Sequence, residues 1–295
     1  MLSRFLCAAG FVLSIALPAA ANAQSLPSFE TGGKLLLTRG ISNVEGAGGG
    51  GIVPWALITG NETDRGIGGT AYTSAVFLSD FTVNTYGVAV GFYDRFELSY
   101  TRQRFDTRDA GAALGLGQDF TFEQDVFGAK LRLFGDAVYG QDSWLPQVAI
   151  GIQYKDANRD AIVRAVGARD DSDIDVYVSA TRIDLANSLV LNATLRYTRA
   201  NQNGLLGFGG NLEADRTLQA EFSAGILLTR RLLVGAEYRF HPDNLAFARE
   251  DDWFDIFAAF AINEHVSIAA AYADLGSIAT FDDQRGLYLS IQAGF

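Results

Sequence analysis

The sequence predicts an all-β fold: a transmembrane, antiparallel, up-and-down β-barrel of about fourteen strands. Three observations predict it. Segments of roughly 8–13 residues alternate apolar and polar side chains, close to the 9–11 that a tilted strand needs to cross a bilayer. The links between them alternate short and long. Finally, 48% of the 295 residues are hydrophobic, yet no apolar stretch after Leu17 approaches the about 20 residues of a membrane helix.

Residues 1–23 read as an export signal, with Arg4, an apolar run from Phe5 to Leu17, Pro18 and the small-residue site Ala21-Asn22-Ala23. Cys7 lies inside it, so cleavage after Ala23 leaves a mature chain without cysteine, held together by its sheet. Removal of Arg4 leaves 22 Lys and Arg against 34 Asp and Glu, a net charge of −12. Such a chain lacks the basic patches that bind nucleic acid.

From Gly33 onward the expected strands are 33–40, 52–60, 66–78, 82–92, 95–106, 122–135, 144–156, 173–184, 188–200, 216–228, 231–241, 252–262, 265–275 and 285–295. Leu218, Ala220, Phe222, Ala224, Ile226 and Leu228 face one way, and Gln219, Glu221, Ser223 and Gly225 the other. A face bearing Glu and Arg is costly in hydrocarbon, and the opposite face is costly in water, so two solvents lie on opposite sides of one sheet. The links 61–65, 93–94, 136–143, 185–187, 229–230 and 263–264 are short, as periplasmic turns are. The links 107–121, 157–172, 201–215, 242–251 and 276–284 are longer, as outer loops are, and 79–81 is the exception. This places both chain ends in the periplasm. Aromatic girdles are expected from Tyr100, Tyr154, Tyr197, Tyr238, Trp253 and Tyr272 at the outer ends and from Phe92, Tyr93 and Trp144 at the periplasmic ends.

The strand 285–295 carries Leu287, Leu289, Ile291, Ala293 and Phe295 on one face and Tyr288, Ser290, Gln292 and Gly294 on the other. Leu287, Leu289, Ile291 and Phe295 resemble the assembly signal of Gram-negative outer-membrane barrels, which makes the barrel assembly machinery an expected partner during biogenesis. Ala293 departs from that signal, where an aromatic is more usual.

Residues 24–60 form a Gly-rich amino-terminal segment ahead of a barrel at 61–295. The segment supplies either the first wall strands or a plug of the lumen; in the second case the wall has twelve strands. The run from Gly46 to Gly51 reads as an outer loop in preference to a segment folded into the lumen or an anion-binding nest of amides. Thr31-Gly32-Gly33-Lys34-Leu35-Leu36-Leu37-Thr38, Val44-Glu45-Gly46-Ala47-Gly48-Gly49-Gly50-Gly51, Pro54-Trp55-Ala56 and Tyr86-Gly87-Val88-Ala89-Val90-Gly91-Phe92-Tyr93-Asp94-Arg95-Phe96-Glu97-Leu98-Ser99 together resemble a proteobacterial family known only as a domain of unknown function. The resemblance runs from about residue 30 onward. It implies an outer-membrane location and carries no mechanism.

The functional residues expected from strand parity are lumen-lining: Glu97, Lys130, Arg132, Lys155, Arg196, Glu221, Glu237, Arg239 and Asp255. Eight strands already fill a barrel interior with side chains, so a wider ring leaves a passage. Mixed charge in that passage fits a porin-like channel for small solutes better than a selective single-ion pore. A closed structural or surface-interaction barrel, with acidic outer loops that bind divalent cations or lipopolysaccharide, is the alternative. Asp171, Asp173 and Asp175 form a weak metal pattern that lacks the Gly and terminal Glu of a helical calcium loop. A lipid hydrolase is the second alternative. Of the two histidines, His265 reads as a turn residue and His241 lies at an outer strand end, but no Gly-x-Ser-x-Gly accompanies it. No catalytic residue and no cofactor is expected.

Overall fold

The computed structural model describes residues 28–29 and 33–295; the expected export signal at 1–23 lies outside them. Twelve antiparallel strands form the wall. They are β1 (Gly66–Phe77), β2 (Thr82–Phe92), β3 (Phe96–Asp106), β4 (Thr121–Phe134), β5 (Gln147–Asp156), β6 (Ser172–Asp184), β7 (Leu189–Thr198), β8 (Thr217–Thr229), β9 (Leu232–Arg239), β10 (Trp253–Ala261), β11 (Val266–Asp274) and β12 (Arg285–Gly294). Each pairs with its neighbour in sequence, and β12 returns to β1 through Leu287↔Phe77 to Gly294↔Thr70. The ring is closed, so neither β1 nor β12 exposes an unpaired edge.

The two-residue alternation decides what each strand presents. On β12, Leu287, Leu289 and Ile291 are exposed, whereas Tyr288, Ser290 and Gln292 are buried. On β8, Leu218, Phe222, Ile226 and Leu228 are exposed while Glu221 and Ser223 are buried. The exterior is thus an apolar belt and the interior is polar, the inverse of a water-soluble barrel. No helix among the described residues is long and apolar enough to cross a membrane; the strands do the spanning.

Of the two counts the sequence allowed, the ring has the twelve expected for an amino-terminal segment folded into the lumen, not fourteen. The stretches 33–40 and 52–60 are not wall strands; residues 37–62 are all buried inside the ring, where they form only a two-stranded ribbon, Ile41–Ser42 with Gly48–Gly49. Twelve strands leave more width than side chains alone fill, and this insert takes the space. The Gly46–Gly51 run belongs to it, so the reading as an outer loop is also corrected. Gly40 shows why glycine is needed: its φ is +72°, and a Cβ there would lie 2.6 Å from the Gly49 carbonyl oxygen.

One end of the ring carries the links 93–95, 185–188, 230–231 and 262–265, with a longer one at 135–146. The other end carries 107–120, 157–171, 199–216, 240–252 and 275–284, with the tight 78–81. Short helices, Ala110–Ala113 and Asp160–Ala165, sit in two of the long links. The link 199–216 does not stand in solvent: residues 200–210 are buried, folded over the mouth of the ring. Trp253, expected in a girdle, faces inward and is 7% exposed. It shares the parity of Asp255, two residues away, which sets its direction. Tyr154, Tyr197, Tyr238 and Tyr272 do face outward.

Candidate functional site

The lumen is the candidate site, and its chemistry follows from strand parity. Glu97, Lys130, Lys155, Arg196, Glu221, Glu237, Arg239 and Asp255 all point inward and are almost fully buried. Arg132 keeps the inward parity but sits at the short-turn rim, paired with Asp94 and with the Gly135 carbonyl. Most of the buried groups grip the insert. Lys130 Nζ donates to the carbonyls of Gly48 (2.9 Å) and Leu57 (2.7 Å) while paired with Glu97 (3.1 Å). Glu97 in turn accepts from the Gly48 amide (3.2 Å) and the Thr59 amide (2.8 Å). Glu237 accepts from the Ile52 amide (2.9 Å) and from Ser223 Oγ (2.6 Å), which itself accepts from Trp55 Nε1 (2.9 Å). The glycine run therefore does present amides to anions, and the anions are carboxylates of the wall.

Glu45 is the hub of this contact, and the sequence did not single it out. Its carboxylate meets Lys155 (2.5 Å), Arg196 (3.0 Å) and Arg239 (3.0 Å), three cations from three strands. Burial opposes its ionisation, but Arg196, Arg239 and Lys155 outweigh burial and hold the carboxyl well below the usual carboxylate range. Glu221 and Asp175 complete the cluster, Glu221 at 2.5 Å from Arg196 and Asp175 at 2.8 Å from Lys155. Asn203, from the inward link, adds its side-chain oxygen to Lys155 (3.1 Å) and Arg239 (2.9 Å). The only signal for Glu45 in the sequence is an acid beside the glycine run, and that says nothing of its partners.

Asp171, Asp173 and Asp175 do not converge on a metal. Asp173 is held by Arg199 (2.5 Å) and Arg216, and Asp175 by Lys155 and Arg196. Among the described residues no group of three or more His, Cys, Asp or Glu side chains is placed to hold a metal ion. His241 is buried, stacked on Trp253 with centroids 4.4 Å apart, its Nδ1 2.8 Å from Glu250. Burial, and then Arg239, hold its pKa well below the ordinary value. Its Nε2 meets no hydrogen-bond partner among the described residues, so none of their serine hydroxyls is engaged. Glu250 accepts from the Gln202 amide with both oxygens (2.9 and 2.8 Å), and burial pushes its pKa up to about 8.

A cavity of about 110 Å³, measured to the centre of a water-sized sphere, lies between the insert and the inward link. Val44 and Ile52 line it from the insert, Leu205 and Leu206 from the link, and Phe81 and Phe105 from the wall side. Its surface is overwhelmingly apolar.

Comparison with known proteins agrees with this architecture. A family described as "Protein of unknown function (DUF3034)" matches residues 38–292. No curated protein matches the chain in sequence. Among solved structures, the KdgM porin is similar with a TM-score of 0.50 at 7% identity, over 77% of this chain and 99% of that one. An outer-membrane channel from Pseudomonas putida F1 gives 0.45 at 10% identity, over 83% and 97%. Outer membrane phospholipase A from Escherichia coli gives 0.39 at 10% identity, over 77% and 91%. At 7% identity the likeness to the KdgM porin concerns the fold alone.

Proposed function

Since the chain belongs to the DUF3034 family, whose description names no activity, we propose from the geometry that it is a gated, porin-like outer-membrane channel for small solutes, its lumen closed by residues 33–62. The observation that carries this reading is the nature of the closure. A barrel meant only to be solid closes with fewer strands and its own side chains. Here twelve strands enclose a separate segment, and that segment is seated on buried ion pairs and amide–carboxylate hydrogen bonds as well as on apolar contacts of residues such as Leu37, Ile41, Val53 and Trp55. Breaking one partner of a buried ion pair is costly, but the charged part of the surface it leaves is hydrophilic and suits a water-filled passage.

In this reading the short-turn end lies in the periplasm together with both chain ends, and the long links face outward toward lipopolysaccharide. The barrel assembly machinery handles the chain during biogenesis, the amino-terminal segment up to residue 62 acts as the gate and the ring from Gly66 onward as the channel. The reading is non-enzymatic, supported by the disposition of His241. A closed structural or surface-interaction barrel is the second reading, favoured by the burial of residues 200–210, which cover the mouth opposite the insert. Single-channel recording from refolded protein separates the two. The channel reading expects brief or no openings in the native chain and sustained conductance after deletion of residues 33–62; silence after that deletion supports the closed barrel.

A further inference from the structure

Two residues on one patch of the cavity wall carry buried polar atoms that no protein group satisfies. Trp253 Nε1 and Asp255 Oδ1 lack a hydrogen-bond partner among the described residues, the neighbouring Tyr288 hydroxyl has the Ser74 and Ser290 hydroxyls beside it, and all three residues line the cavity. Trp253 and Asp255 sit on β10 with the same parity; Tyr288 sits two strands away on β12. Between them β11 presents Ala271 and Ala273, both buried, so the wall is recessed there. The patch is compact. A Cβ built on Gly51 of the insert would lie 3.4 Å from Asp255 Oδ2 and 3.8 Å from the Tyr288 ring.

The remaining polar side chains of the lining are already engaged. Gln103 donates to the Val44 carbonyl (2.6 Å), Thr107 to the Phe120 carbonyl (2.7 Å) and Gln202 to the Ser277 carbonyl (3.2 Å). Asn203 accepts from Lys155 and Arg239. A buried polar group without a partner costs on the order of 1–3 kcal/mol, so a donor and an acceptor left unmatched in one apolar recess call for a ligand that meets both. Their types are specific: an indole N–H that only donates and a carboxyl oxygen that accepts, beside a phenol.

We propose that this cavity is a binding site for a small apolar molecule bearing one hydroxyl group, with Asp255 accepting the hydroxyl proton and Trp253 or Tyr288 donating to its oxygen. A cavity of this size and lining suits a single ring or a short alkyl chain; an apolar engineered cavity of about 150 Å³ takes benzene. A carboxylate ligand would have to give up its water beside two buried acids, Asp255 and Glu237, both next to Gly51. An ammonium would leave the indole N–H unmatched. A hydrocarbon would leave Trp253 Nε1 and Asp255 Oδ1 bare. The site names the solute class of the channel reading and rests on that reading only in calling the ligand a solute; binding itself stands or falls separately.

Calorimetric titration of the detergent-solubilised full chain with benzyl alcohol, toluene, benzylamine and benzoate tests it. Benzyl alcohol is expected to bind about ten-fold more tightly than toluene, the worth of one or two net hydrogen bonds, with benzylamine weaker than the alcohol and benzoate unbound. Asp255→Leu should remove the preference for the alcohol while toluene still binds, and Ala273→Leu should weaken all ligands by filling the recess. If Ala273→Leu does not give a folded, heat-modifiable barrel, Val76→Phe fills the same cavity from β1 and is expected to act alike. Equal affinities for alcohol and toluene, tighter binding of the amine, or a preference that survives Asp255→Leu would each overturn the assignment. So would the absence of binding by any ligand to a folded barrel. Binding in a protein that stays silent after removal of residues 33–62 would sink the channel and keep the site.

Discussion

Glu45→Gln is the sharpest perturbation of the proposed gate. In the native lumen Lys155, Arg196 and Arg239 face Glu45, Asp175 and Glu221, three cations against three carboxylates. The substitution keeps the shape of the side chain but leaves the cluster with one uncompensated positive charge, buried, and located where the insert meets the wall. Removing one partner of a buried pair costs about 3–5 kcal/mol. Only the seated insert contains Glu45, so that cost falls on the seated state and not on the wall. At about 1.4 kcal/mol per decade the unseated population should rise by roughly two to four orders of magnitude. Two measurements report it. Single-channel recording of the refolded variant should show openings at a frequency raised accordingly. An Ala47→Cys reporter, buried at 2% exposure in the insert, should become reactive toward a membrane-impermeant maleimide in the Glu45→Gln background. A silent channel with Ala47→Cys as protected as in the native background would refute the idea that this cluster latches the insert.

The loop-side closure should depend on pH. The Glu250 carboxyl is raised by burial from 4.5 to about 8, so its contribution is fully present below its unfolded value and is lost as pH rises through about 8; the protection of the Gln202 amide, taken relative to the base-catalysed exchange of an open amide at the same pH, should fall over that window, and Glu250→Gln should flatten that fall. Gly50→Ala should destabilise the seated insert by about 1–3 kcal/mol, because the new Cβ would overlap the Glu237 carboxylate; unchanged maleimide protection at Ala47→Cys would count against the fit. Phe295→Ala removes the ring that meets Phe29 edge-on at 5.9 Å and an element of the assembly signal, and should lower the yield of heat-modifiable barrel in membranes. His241→Ala should leave any lipid hydrolysis by the purified protein unchanged; loss of a measurable activity in that variant would return His241 to a catalytic role.

The wall was legible in the sequence because two solvents write it. Hydrocarbon and lumen impose opposite demands on successive residues, so Leu287 to Phe295 or Leu218 to Leu228 announce their strands without reference to any partner, and all twelve observed strands lie within three residues of expected ones. The insert obeys no such rule. Its amides are satisfied by side chains such as Glu237, 185 residues from Ile52, and Thr181, 125 residues from Ala56, and no local period encodes such pairings. Parity placed Lys130 and Arg196 inward but was silent on what they would hold. Trp253 was read by its residue type as a girdle aromatic when its parity with Asp255 pointed inward. The folding of residues 200–210 over the mouth depends on Phe208 bridging to Asp170 and Ala200, a contact that composition does not reveal.

The Phe295 carbonyl oxygen accepts from two amides at once, Gly69 of β1 (3.0 Å) and Asn61 at the exit of the insert (2.9 Å). One atom thus ties the seam of the cylinder to its stopper. Contacts that span nearly the whole chain are expected to form late, after shorter loops have closed, so zipping the seam and corking the bore would belong to the same final moment. On the plugged-channel reading, a half-zipped cylinder would hold its stopper loosely, and a finished one would be corked from the instant it is complete.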